Sequence, residues 1–66
     1  MIITLNGESK KLEDNISIQQ LLDLLNLKKE TVVAELNGEI IVTENFDKTI
    51  IYNDAVLELI RFVGGG

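Results

Sequence analysis

Ala55-Val56-Leu57-Glu58-Leu59-Ile60-Arg61-Phe62-Val63-Gly64-Gly65-Gly66 closes the chain. A strand-like run stops abruptly in three glycines. Glycine has no Cβ, so a triglycine has little conformational preference and no side chain to pack. Three residues extend the reach of the domain by about 10 Å, and the filament carries one functional group, the α-carboxylate of Gly66. A vector-derived linker gives the same letters. Before the glycines, apolar residues alternate on both faces, with Leu57, Leu59 and Val63 on one and Val56, Ile60 and Phe62 on the other. A strand with one solvated face alternates apolar with polar. Residues 55–63 therefore belong at the centre of a sheet, or their second face meets a partner. The register with Leu57 and Leu59 inward and Glu58, Ile60 and Phe62 outward is favoured, because it leaves Glu58 in solvent.

Outward from this strand, the chain holds two hairpin signals. Asn6-Gly7 follows Met1-Ile2-Ile3-Thr4-Leu5, and Asn37-Gly38 follows residues 31–36. Both central positions of a type I′ turn need φ > 0, which Asn-Gly accepts. The return at residues 8–12 is polar and lysine-rich, as suits a sheet edge. In the second hairpin Leu36 faces Glu39 and Ala34 faces Ile41, which puts Ile40 and Val42 with Val33 on the opposite face.

Between the hairpins lies one helix. Ser17 and Gln20 have capping-box spacing, and Ile16 and Leu21 that of a hydrophobic staple. Ile18, Leu21, Leu22 and Leu25 make one apolar face, Leu24 lies off it, and Asn26 suits a left-handed terminator. At two to three turns the helix depends on docking. Residues 43–46 read as a single capped turn with Phe46 as a core plug, residues 49–52 as another extended segment, and Tyr52 as a packing residue. The order is ββαββ: an α+β domain of residues 1–63, one mixed sheet wrapped around one helix, with a flexible tail of residues 64–66.

Composition narrows the function. The 66 residues are 45% hydrophobic, enough for one packed core. No Cys, His, Pro or Trp is present, so there is no disulfide, thiol nucleophile or thiolate zinc site, and the commonest general base is missing. Eleven acids against six bases give −5, the wrong sign for nucleic acid and compatible with a basic protein partner. No apolar run reaches the ~18 residues of a membrane span. A soluble, cytoplasmic protein is expected. Glu13 with Asp14, and Asp47 near Glu44, are turn carboxylates rather than catalytic pairs. No metal or cofactor site is expected, and no phosphate-loop pattern occurs. The terminal carboxylate is then the one candidate reaction centre. Its delocalised charge makes it a poor electrophile until one oxygen becomes a leaving group such as AMP. Glycines could thread a narrow tunnel to an enclosed ATP site, where a side chain would obstruct.

The segments Met1-Ile2-Ile3-Thr4-Leu5-Asn6-Gly7, Gln20-Leu21-Leu22, Val33-Ala34-Glu35-Leu36-Asn37-Gly38-Glu39-Ile40 and Leu57 through Gly66 together resemble the ThiS family, ubiquitin-like β-grasp sulfur carriers of thiamine biosynthesis. The resemblance spans essentially the whole chain. It implies a carrier, not an enzyme. An ATP-dependent, E1-like adenylating enzyme would attach AMP to Gly66. A sulfur donor system drawing on cysteine, such as a cysteine desulfurase, would convert it to a thiocarboxylate, and thiazole synthase would receive the sulfur. Gly64 and Gly65 would thread the partner's active site. Two departures from the family pattern are Asn53-Asp54-Ala55, where many relatives have glycine, and Val42-Thr43-Glu44, which lacks a Pro or Arg. The small subunit of molybdopterin synthase, another ubiquitin-like sulfur carrier, a protein modifier and a plain interaction domain are the alternatives.

A sheet with one helix leaves one face uncovered. Ile60, Phe62 and Val63 of the last strand, with Val33 and Ile40, are therefore expected to form the docking patch for the partner enzymes. Self-association through the same apolar area is the competing use.

Overall fold

The computed structural model describes residues 1–62; Val63, Gly64, Gly65 and Gly66 lie outside the described residues. In chain order the elements are β1 (Ile2–Leu5), β2 (Glu8–Lys11), β3 (Ile16–Ser17), α1 (Ile18–Leu24), β4 (Val32–Leu36), β5 (Glu39–Ile41), β6 (Ile50–Ile51) and β7 (Val56–Arg61), with 3₁₀ turns at Lys29–Thr31 and Thr43–Asn45.

Both Asn-Gly pairs make the turns that their residue types favour. Asn6 and Gly7 have φ of 50° and 82°, Asn37 and Gly38 of 51° and 85°. They join β1 to β2 and β4 to β5 as antiparallel hairpins, the second with Leu36 opposite Glu39 and Ala34 opposite Ile41. β7 enters between the two hairpins, giving the sheet order β2-β1-β7-β4-β5. It runs parallel to β1 and antiparallel to β4. The strand with apolar residues on both faces is thus the central one, and the lysine-bearing β2 is an edge.

Helix α1 covers one face of this sheet. Ile18, Leu21 and Leu22 are fully buried against Ile3, Val32, Ala34, Leu57 and Leu59. Leu24 is 70% exposed. A seven-residue helix is too short to stand on propensity, so its ends carry weight. All four N-terminal amide donors that a helix leaves open are satisfied. Gln20 Oε1 accepts from the Ser17 N–H at 2.8 Å, and Ser17 Oγ accepts from the Gln20 N–H at 3.0 Å. The Ile18 N–H donates to the Thr49 carbonyl at 3.0 Å, and the Gln19 N–H to the Phe46 carbonyl at 3.0 Å. At the other end Asn26 is left-handed, with φ of 59°. The Asn26 N–H donates to Asp23 O at 3.2 Å and the Leu27 N–H to Leu22 O at 2.9 Å, the two bonds of a Schellman motif.

Four details depart from the sequence reading. Residues 49–52 do not join the main sheet; β6 pairs with β3 in a separate two-stranded sheet, Ile16 opposite Ile51 and Ser17 opposite Ile50. The reason is that Ser17 is committed to capping α1, and β6 must run beside it for the Thr49 carbonyl to reach the helix. The turn at Thr43–Asn45 has no side-chain cap. It is held from the other side, where the Thr49 hydroxyl and N–H both donate to the Asn45 carbonyl at 2.7 and 3.0 Å. Phe46 does plug the core at 1% exposure, but Tyr52 is 72% exposed and packs little. The last strand, Val56–Arg61 among the described residues, starts after Ala55, because Ala55 closes a turn by donating its N–H to Tyr52 O at 3.1 Å.

Candidate functional site

The chain leaves the domain along β7, so the hold on that strand sets where the terminal residues start. Its ladder with β4 runs from Leu36 opposite Leu57 to Val32 opposite Arg61. One bond more follows, from the Phe62 N–H to Thr31 O at 3.0 Å. Two turn asparagines clasp the strand from its flanks. Asn6 Oδ1 accepts from the Leu59 N–H at 2.8 Å while its Nδ2 donates to the Leu59 carbonyl at 3.3 Å. Asn37 Oδ1 accepts from the Val56 N–H at 2.9 Å, and the Asn37 N–H donates to the Val56 carbonyl at 2.7 Å. Both side chains come from left-handed positions, so one residue type meets a backbone need and a ladder need at once. Reading Asn-Gly as a turn misses the second role; the signal was Asn rather than Asp or Gly at both places.

Leu57 and Leu59 point inward, and Val56, Glu58, Ile60 and Phe62 are exposed. Ile60 lies opposite Val33, and Glu35 lies opposite both Glu58 and Ile40. Residues directly opposite in a ladder share a face, so Ile60, Val33 and Ile40 stand together on the side away from the helix. Ile60 is 55% exposed, Ile40 and Phe62 are exposed, and Val33 is half-buried. Exposed Val42 follows two residues after Ile40. Gly64, Gly65, Gly66 and Val63, also named from the sequence, lie outside the described residues.

The outer face also holds something the sequence reading did not single out. Glu35 and Glu58 sit directly across from each other on the two strands beside the apolar row. Like charges in that position destabilise a sheet. Of the turn carboxylates, Asp14 pairs with the Met1 ammonium at 3.3 Å. Among the described residues no three His, Cys, Asp or Glu side chains converge to hold a metal ion. No helix among them is long and apolar enough to cross a membrane.

What this arrangement can do is present a β strand's end and an apolar face to another protein. The model of the ThiS family matches residues 3–66. The sulfur carrier protein ThiS of Bacillus subtilis is 36% identical over 66 residues, covering 98% of this chain and all of that one. A crystal structure of the thiamine biosynthesis protein ThiS from Geobacter metallireducens superposes with a TM-score of 0.85 at 33% identity, each chain fully covered. A protein of Paramagnetospirillum magneticum named thiazole synthase is 27% identical over 66 residues, which are all of this chain and 20% of that one.

Proposed function

The chain belongs to the ThiS family, and from that premise we propose that the sulfur it carries rides on the α-carboxylate of Gly66. It is a β-grasp sulfur carrier of thiamine biosynthesis, a substrate of other enzymes rather than an enzyme. The observation that carries the assignment of Gly66 is the family match running through residue 66 in a chain with no Cys and no His. Without a side chain that can hold sulfur, the terminus is left.

The chemistry follows from the carboxylate. One of its oxygens attacks the α-phosphorus of ATP and pyrophosphate leaves. The acyl carbon is then attached to a good leaving group. A sulfur nucleophile adds to that carbon and AMP departs with the bonding pair. Hydrosulfide gives the thiocarboxylate directly, whereas a donor persulfide gives an acyl disulfide that a thiol must cleave, leaving with the donor sulfur as a disulfide. An E1-like adenylating enzyme carries out the first step, a cysteine-derived sulfur donor supplies the second, and thiazole synthase receives the sulfur. The likeness to part of a protein named thiazole synthase supports that last partner. We assign residues 1–63 to the domain and residues 64–66 to a tail whose Gly64 and Gly65 thread the partner's site. Ile60, Phe62, Val63, Val33 and Ile40 make the docking patch. The setting is the cytoplasm, where ATP for activation is at hand.

The test uses two variants, one lacking Gly66 and one with a residue appended after it, each incubated with the host's adenylating enzyme and ATP. Both are expected to keep the circular dichroism spectrum of the wild type and to lose AMP attachment by mass spectrometry. AMP attached to either variant overturns the assignment.

A further inference from the structure

Glu35 and Glu58 face each other on the two central strands of the outer sheet face, on the row next to Ile60 and Val33. We propose that this pair is the recognition element for a cationic side chain, a guanidinium set among apolar groups, on the adenylating enzyme that docks here. The inference rests on the docking reading above and specifies its chemistry.

The pair is costly to the chain on its own. Opposed residues in an antiparallel ladder have Cα atoms roughly 4.5–5.5 Å apart, and like charges there repel. The domain's own cations do not relieve it. Arg61 lies opposite inward-facing Val32, so strand alternation sends it to the other face from Glu58. Lys11 shares the outer face through its pairing with Ile2, but β1 separates its strand from β7. The ion pair found among the described residues joins Met1 to Asp14 and involves neither glutamate. Glu35 and Glu58 thus rise from opposed ladder positions on the outer face, with no cation of the chain paired to either among the described residues, in a chain of net charge −5.

An apolar row alone does not say what covers it; the carboxylates do. A second copy of this chain stacked with its two-fold axis through the pair would bring four carboxylates together, whereas a guanidinium offers a fork of donors to both members of the pair. Ile60 is two residues from Glu58 along β7, roughly 7 Å at strand rise. A partner that buries Ile60, Val33 and Phe62 near the strand end therefore meets the acid pair in the same footprint. The acids also give the patch a polarity that aliphatic contacts lack, and so a single orientation for the strand end relative to the partner.

The experiment measures AMP attachment by the host's adenylating enzyme at varied carrier concentration and at two salt concentrations. Wild type is compared with Glu35→Gln/Glu58→Gln and Glu35→Lys/Glu58→Lys. The double glutamine variant is expected to lose about 10-fold in kcat/KM, with the loss lying in KM, and to show a flatter salt dependence. The lysine variant is expected to lose more. Thermal melts separate binding from folding, because relieving the repulsion should leave the glutamine variant at least as stable as wild type. An unchanged KM with an unchanged salt slope overturns the acid-pair inference while leaving the Gly66 assignment standing; absence of AMP on wild-type Gly66 overturns that assignment instead. Sedimentation of the wild type as a dimer that Ile60→Asp dissolves would make the second copy the occupant and also overturn the proposal.

Discussion

The side-chain amide of Asn6 pairs with both backbone groups of Leu59, accepting from its N–H at 2.8 Å and donating to its carbonyl at 3.3 Å. β1 has already entered its turn at this point, so the amide continues the β1–β7 ladder where the backbone cannot. Asn6→Gly keeps the left-handed turn and removes only the clasp. A cost of about 1–2 kcal/mol is expected for the two bonds, read as a lower urea midpoint at unchanged slope. Asn6→Asp should cost at least as much, since a carboxylate would then face the Leu59 carbonyl. A Gly variant as stable as wild type would show that the clasp contributes nothing.

Ser17 is buried, and its hydroxyl closes a reciprocal cap with Gln20. Ser17→Ala leaves the Gln20 N–H without its acceptor at a part-buried helix end. The expected loss is about 1–2 kcal/mol. Because β3 and β6 are held to the same helix end, amide exchange should quicken at Ile18 and Gln19 as well as at Gln20. Exchange confined to Gln20 would contradict that coupling.

Asp54 has φ of 69°, a left-handed conformation that suits glycine, in the 53–55 turn where the family resemblance leads one to expect that residue. Its N–H donates to Ile2 O at 2.8 Å, so the turn ties β1 to the start of β7. A left-handed L-residue costs roughly 1–2 kcal/mol, and glycine returns about 0.5–1 kcal/mol of that as unfolded-chain entropy. Asp54→Gly is expected to stabilise by about 0.5 kcal/mol, and Asp54→Val to destabilise; a thermal melt with the two changes in the opposite order would refute this reading of the turn.

Ile60 lies on the outer face opposite Val33 and is half in solvent. Ile60→Asp should cost about 1 kcal/mol in the melt and leave the domain folded, because aspartate is a poor strand former and joins two glutamates on this face. Titration of the adenylating enzyme with this variant is expected to show binding weakened at least 10-fold, because a charge enters the centre of an apolar contact next to two other carboxylates. Equal affinity for both proteins would remove Ile60 from the docking patch.

The two hairpins, the helix start and the inward residues of β7 were legible because each has a local cause. Asn-Gly accepts two positive φ angles in succession, Ser17 and Gln20 reach each other within one turn, and alternation places Leu57 and Leu59 on one side whatever lies beyond. The Asp54 turn was half legible. A missing glycine was noticed, but only the backbone angle shows that the aspartate takes the glycine's conformation. Residues 49–52 read as extended, as β6 is, but an Ile-Ile pair carries no mark of the strand it pairs with.

The amino-acid sequence by itself determined that one helix packs on a sheet containing a strand with two apolar faces, and that no side chain is suited to carry sulfur. It did so because turns, caps and alternation act over a few residues, and because a missing Cys or His is missing in any fold. Only the tertiary structure decided that β1 runs parallel beside β7, that Phe46 and Thr49 finish the helix end, and that Glu35 meets Glu58. Those contacts join residues far apart in the chain. Their energies arise only when the whole core has closed, so no local pattern announces them.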